Sequence, residues 1–238
     1  RQRQMCIRDS ANIGSSREIE DLEIELKKGL VAREAGADAI MDLSTGRDIK
    51  KTRKAILDSI ELPLGTVPIY DVAASAYEKK KSFLHMEVDE IFDVIYEQAR
   101  LGVDFMTVHC GVTLETFHKM KREGRILDVV SRGGSLIVEW MKYNKKENPL
   151  FDRFDDILKI AAEFDVVLSL GDGFRPGAIA DATDRAQIYE LILLGELQQR
   201  ALEKGVQVMI EGPGHVPIDQ VETNIKIQKE LCHNAPFY

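Results

Sequence analysis

Three short segments hold residues that could do chemistry together. In Gly171-Asp172-Gly173-Phe174-Arg175-Pro176-Gly177, three glycines and a proline fix the backbone around an aspartate and an arginine. That is more organisation than a connecting loop requires. In Glu211-Gly212-Pro213-Gly214-His215, rigid turn residues set a carboxylate and an imidazole on one loop. Either side chain could act as a base or a metal ligand, yet one histidine does not make a metal site, since about three protein ligands are normal even for an open catalytic zinc. Ser131-Arg132-Gly133-Gly134-Ser135 reads either as a plain strand-to-helix turn or as a set of backbone N–H groups at a helix start, where an anion is stabilised. His109, at the end of an apolar run, reads equally as a ligand contact or as a core histidine bonded to a carbonyl.

These residues need a scaffold that brings them together, and the chain has a repeated grammar that supplies one. Short apolar runs end in polar or glycine-rich residues and are followed by stretches of helical period. The strand candidates are 11–14, 39–43, 64–70, 105–109, 128–131, 166–170 and 206–211. Most are nearly continuous in apolar residues, the pattern of strands buried on both faces of a parallel sheet. Pro68 weakens the third, because proline supplies no ladder donor. Between them, Ser15 and Glu18 form a capping-box pattern ahead of Ile19, Leu22, Leu26 and Leu30, with Gly36 as a stop. Apolar stripes follow over Val88–Ala99 (stopping at Gly102), Phe151–Ala161 and Ile188–Leu197. Such βα units could lie open as a doubly wound sheet or close as a (β/α)₈ barrel. The barrel is favoured here, since no dinucleotide fingerprint occurs and chemistry-bearing residues follow nearly every strand. In a barrel those positions share one mouth. Gly14, Gly46 and Gly65 read as turn or packing glycines, Tyr77, Tyr96 and Trp140 as packing residues, and His85, His118 and His233 as solvent-facing.

Composition narrows the function classes. With 40 acidic against 32 basic residues the formal net charge is −8, which argues against a nucleic-acid-binding surface but leaves room for arginines that clamp a small anion. No stretch approaches the roughly 18 apolar residues of a membrane span, and the opening residues lack the apolar centre of a signal peptide. A cytoplasmic location is therefore expected. Cys6, Cys110 and Cys232 are odd in number and far apart, which reads as reduced thiols rather than a disulfide framework.

The segments ANIGSS (11–16), MDLSTGR (41–47), GTVPIY (65–70), SRGGS (131–135), SLGDGFRPG (169–177), QVMIEGPGHVP (207–217) and APFY (235–238) together resemble the phosphomethylpyrimidine synthases, in consistent order and spacing over residues 11–238. The resemblance implies a (β/α)₈-barrel carbon–carbon lyase of thiamine biosynthesis. Such enzymes use S-adenosylmethionine and a [4Fe–4S] cluster to generate a 5′-deoxyadenosyl radical. They rearrange 5-aminoimidazole ribotide into hydroxymethylpyrimidine phosphate and release formate and carbon monoxide. It further implies substrate contacts from Asn12, Met41, Tyr70, His109, Ser131, Arg132, Gly133, Asp172, Gly173, Phe174, Arg175, Glu211 and Tyr238. His215 would be the first of two histidines on a divalent metal, usually zinc, and the protein a homodimer. Phe174 stands where leucine is usual, and residues 1–10 match nothing expected. On this reading Tyr238 opens the eighth strand, so residues 11–238 form an incomplete barrel. The second metal histidine and the CxxCxxxxC cluster motif would lie past Tyr238, and the 238 residues alone are expected to be inactive. Two other classes remain open: a cluster-free metal-dependent lyase or hydrolase using Glu211 and His215, and a non-catalytic ligand-binding paralogue.

Overall fold

Each apolar run that ends in a polar residue becomes a short strand, and each amphipathic stretch a helix laid across its back. The computed structural model describes residues 9–212 and 214–238. The expectation for residues 1–10 therefore falls mostly outside the described residues, as do Cys6 and Pro213. In chain order the elements are β1 (Ser10–Ile13), α1 (Leu22–Glu34), β2 (Ala39–Asp42), α2 (Ile49–Ser59), β3 (Leu64–Thr66), α3 (Pro68–Glu78), α4 (Val88–Leu101) and β4 (Phe105–Val108). They continue with α5 (Leu114–Glu123), α6 (Arg132–Asn144), α7 (Pro149–Asp152), α8 (Phe154–Phe164), β5 (Val167–Leu170), α9 (Arg185–Glu203), β6 (Val208–Ile210) and α10 (Val221–Leu231).

All six strands are parallel and pair in sequence order, β1-β2-β3-β4-β5-β6. Beyond β6, Phe237 makes a parallel bridge to Ile210, supported by Ile210 N–H to Pro236 O and Tyr238 N–H to Ile210 O at 2.9 and 2.8 Å. The α/β class with a parallel sheet is thus as expected, but among the described residues the sheet is open and no barrel closes. Because side chains alternate across a strand, the register sorts the sheet into two faces. Ile40, Leu64, Met106, Leu168 and Ile210 pack under the helices, each at most 1% exposed. Asn12, Met41, Phe105, Thr107, Ser169 and Met209 look the other way and line one cavity, together with Tyr238. Residues from both edges of the sheet meet at that cavity, so the sheet curls around it.

Four expectations change in detail. The first helix begins at Leu22, not near Ser15: Asp21 caps it, accepting from the N–H groups of Glu23 and Ile24 at 2.9 and 3.2 Å. Ser15 instead bonds the end of β2, its N–H donating to Ser44 Oγ at 3.0 Å. The third strand stops at Thr66, and Pro68 opens α3, the position where proline's missing donor costs nothing. Residues 128–131 are not a strand: Val130 is 39% exposed, so its β-branched side chain has no sheet to cover. Ser131 is the N-cap of α6, accepting from Gly134 N–H at 3.2 Å. With that strand gone, Tyr238 lies at a seventh place beside β6, not at an eighth.

Candidate functional site

The cavity occupies about 150 Å³ and lies at the C-terminal ends of the strands, where parallel α/β folds place their ligands. Its walls include seven of the expected residues: Asn12 from β1, Met41 from β2, Tyr70 from the first turn of α3, His109 after β4, Arg175 after β5, Glu211 after β6, and Tyr238. Local chemistry explains each placement. Pro68 opens α3, which puts Tyr70 in its first turn, on the cavity wall. Thr107 and His109 share a face because they are two residues apart on an extended segment.

Glu211 is the floor of the site. Its Oε1 accepts from Thr107 Oγ1 at 3.1 Å and Ser169 Oγ at 3.5 Å, and its Oε2 accepts from the Asp172 N–H at 3.3 Å. Asp172 in turn accepts from Arg175 Nη1 at 3.2 Å. Burial pushes the Glu211 carboxyl up to about 7, helped by the nearby Asp172 charge. Asp172 is also pushed up by burial, against the pull of Arg175. The two acids thus titrate together as a pair that holds a proton close to neutrality. His109 is 3% exposed. Burial, with Arg175 beside it, lowers its imidazole to about 4, so it is neutral at pH 7. Its Nδ1 is buried without a hydrogen-bond partner, as is Arg175 Nε. Unpaired buried polar atoms of this kind call for an explanation. Here both belong to residues that line the cavity.

The remaining expected residues divide. Arg132 is exposed at the rim, its guanidinium 5.2 Å from the Tyr70 ring centroid. Gly133 lies against His109, where an added Cβ would come within 2.2 Å of the imidazole. A Cβ on the next residue, Gly134, would come within 2.4 Å of the Gly173 carbonyl oxygen. The Ser131–Ser135 turn and the Gly171–Gly177 loop are therefore packed backbone to backbone, which only glycine permits. Arg132, Gly133 and Asp172 touch lining residues without lining the cavity themselves, and three more expected residues also lie off its wall. Ser131 is spent on its cap, Gly173 sits behind the wall, and Phe174 is fully buried in the hydrophobic core.

His215 also lies off the cavity, exposed, with Nδ1 3.0 Å from Pro176 O and a positive φ of 58°. Among the described residues no three His, Cys, Asp or Glu side chains gather as a metal site. Cys110 and Cys232 are buried and free, and burial pushes the Cys232 thiol up to about 12, so neither is a poised thiolate ligand. The described residues do not by themselves hold a cluster or a divalent metal. Sequence reasoning missed Thr107 and Ser169, which orient Glu211. The signal was available: each is a lone polar residue inside an apolar strand, and period-2 reading puts Thr107 on the face of His109.

The fold and the cavity define a parallel α/β protein with an enzyme-type pocket at its strand ends. Comparison with known proteins places it more closely: the chain belongs to the Radical SAM ThiC family, whose profile it matches over residues 3–238. It is 58% identical over 229 residues to a phosphomethylpyrimidine synthase of Thermoanaerobacter sp. (strain X514), covering 96% of this chain and 53% of that protein. It is 56% identical over 229 residues to the phosphomethylpyrimidine synthase of Methanocaldococcus jannaschii, covering 96% and 54%. The chain thus spans about half the length of the curated relatives it matches. Among solved structures, a dihydropteroate synthase of Xanthomonas albilineans with 4-aminobenzoic acid superimposes with a TM-score of 0.47 at 13% identity, over 97% of this chain and 71% of that one. No helix among the described residues is long and apolar enough to cross a membrane.

Proposed function

We propose that this chain carries the ribotide pocket of a phosphomethylpyrimidine synthase, on a curled sheet that is the larger part of a (β/α)₈ barrel. The reaction would convert 5-aminoimidazole ribotide into hydroxymethylpyrimidine phosphate, with loss of formate and carbon monoxide, for thiamine. The observation that carries this reading is the convergence of Asn12, Met41, Tyr70, His109, Arg175, Glu211 and Tyr238 on one cavity. In this reading S-adenosylmethionine and a [4Fe–4S] cluster supply the radical. The described residues do not form a cluster site, so no step is assigned through it, and His215 would contribute a single ligand to a metal such as zinc.

The roles open to this chain's own residues follow from their chemistry. Arg175 and Arg132 present guanidinium forks, the geometry that suits phosphate oxygens. Neutral His109 and the Asn12 amide can each donate and accept, as an aminoimidazole and a ribose require. The Glu211–Asp172 pair, holding a proton near neutrality, can give it to or take it from the bound base at Glu211 Oε2. The apolar walls of Met41, Val67, Phe105 and Met209 exclude water from a reactive intermediate.

Isothermal titration of the intact protein with 5-aminoimidazole ribotide tests this. Binding is expected, and Arg175→Ala should weaken it by about 2–5 kcal/mol if the guanidinium pairs with a buried phosphate. Absence of binding by the wild-type protein would defeat the proposal. An iron–sulfur absorption band after anaerobic reconstitution would separate it from a cluster-free hydrolase.

A further inference from the structure

Behind the cavity wall lies a second set of charged groups that the function above does not use. Phe174 sits between Asp172 and Arg175, and both of its backbone polar groups are gripped by side chains from elsewhere. Its N–H donates to Glu190 Oε2 on α9 at 2.9 Å. Its carbonyl accepts from Arg125 Nη2 at 2.6 Å. Arg125 is itself locked by a two-pronged pair with Asp184, Nε to Oδ2 at 2.6 Å and Nη2 to Oδ1 at 2.8 Å. Asp184 caps α9, accepting the Gln187 N–H at 2.8 Å. The side chains are hidden: Glu190 is 2% exposed and the Arg125 side chain 1%. Gly111 and Gly173 leave room for Glu190, since a Cβ on either would come within 2.8 Å of its Cγ or 3.2 Å of its Oε1.

This is a costly way to fill space. A leucine at 190 would occupy a similar volume with no charge to bury, but it would leave the Phe174 N–H without an acceptor. Burial and the neighbouring Asp172 push the Glu190 carboxyl well above the usual range, and its Oε2 is the acceptor for the Phe174 N–H. Arg125 precedes the Ser131–Ser135 turn by only a few residues, and that turn packs directly on Gly173. The same contacts therefore govern two segments, one carrying Arg132 and the other Arg175. The Arg132 guanidinium lies 5.2 Å from the Tyr70 ring centroid, and Arg175 lines the same cavity as Tyr70.

We propose that Glu190, Arg125 and Asp184 form a positioning bracket that fixes the Phe174 peptide and thereby sets Arg175 and Arg132 against one anionic group of the ligand. The identity of that anion as the ribotide phosphate rests on the function proposed above; the bracket itself does not.

The test has two arms in the intact protein. Without substrate, amide exchange is followed by mass spectrometry on peptides spanning 129–134 and 171–177. Arg125→Met should speed exchange in both; faster exchange in only one peptide, or in neither, overturns the bracket. With ribotide, Glu190→Ala should raise Kd and KM by about 10- to 100-fold, the scale on which small displacements of a positioning group act, while kcat changes little. Glu190→Gln keeps an acceptor for the Phe174 N–H and should restore affinity to within about threefold of wild type. In an Arg175→Ala background, Glu190→Ala should cost no more than about twofold, because the two changes remove the same interaction. An equal loss in both backgrounds, or a fall in kcat at constant KM, would reduce Glu190 to a fold element and overturn the proposal. If Glu190→Ala does not fold, Arg125→Met and Glu190→Gln carry both arms. Failure of the wild-type protein to bind ribotide would sink the functional reading alone, and the exchange arm would still decide the bracket.

Discussion

The Arg53 cluster and the pocket acids, both buried among the described residues, are built on different terms. Behind β2, on the helix side of the sheet, Arg53 lies 2% exposed between two aspartates. It forks Asp71 at 2.6 and 2.8 Å, and its Nε lies 3.3 Å from Asp42. Asp42 also accepts the Ser44 N–H at 3.0 Å, and Asp71 lies in the first turn of α3, where the helix dipole favours an anion. Burial works against the Arg53 charge, but Asp71 and Asp42 outweigh it and raise its affinity for the proton. At the pocket, Glu211 and Asp172 share one nearby cation, Arg175, and both carboxyls are pushed upward by burial. The first cluster ties a sheet to two helices. The second holds its carboxyl protons up toward neutrality and leaves the His109 Nδ1 unpartnered in the cavity wall, the condition of groups that await a ligand.

Substitutions can break or sharpen this division. The largest effect is expected from Arg53→Met, which strands two buried carboxylates and should cost about 3–5 kcal/mol of folding stability, read by urea denaturation of the intact protein. Arg175→Ala should reverse the balance: the loss of about 2–5 kcal/mol appears in ribotide binding, and its folding cost is the smaller of the two. If Arg175→Ala destabilises the fold as much as Arg53→Met, the distinction between the clusters collapses. Gly134→Ala forces a methyl group into the Gly173 backbone and should cost about 1–3 kcal/mol of stability.

A pH series addresses the pocket acids. Glu211 binds its proton more tightly folded than unfolded, so it contributes stability at low pH that is lost as pH rises from about 4.5 to about 7. Glu211→Gln does not titrate there. Its stability relative to wild type should climb across that window by about 1–3 kcal/mol and then level off. A flat difference would show that Glu211 is ionised without penalty. His109 works in the opposite sense: stability is lost as pH falls from 6.5 to about 4, because the buried ring must stay neutral. The smallest effect is expected at the exposed Lys54–Asp58 pair, where Lys54→Ala should change stability by no more than about 0.5 kcal/mol.

Much of the framework was legible because βα units announce themselves by a switch of period. The strands at 39–42, 105–108 and 167–170 follow runs whose apolar side chains are then found buried. The segment at 128–131 misled for a physical reason: Val129 and Val130 have the residue types of a strand but not the burial, and Ser131 serves as a helix cap. Sequence reading placed Asn12, Met41, Tyr70, His109, Arg175, Glu211 and Tyr238 among the site residues, and they do line one cavity. Phe174 was read through its neighbours in the motif, yet its side chain belongs to the core and only its peptide group bears on the site. Glu190 gave no sign, since in a helix of apolar period a single glutamate reads as solvated surface. Its partner, the Phe174 N–H, can be matched to it only once the chain has folded.

His215 carries a consequence of its own. A side chain with a Cβ sits there in left-handed backbone space, at φ 58°, a conformation that costs a non-glycine residue roughly 1–2 kcal/mol. The loop would relax if glycine replaced it, and in doing so would give up its imidazole. Selection for a sturdier protein and selection for a ring at this corner therefore pull against each other, and a screen for thermal tolerance alone would tend to discard the histidine.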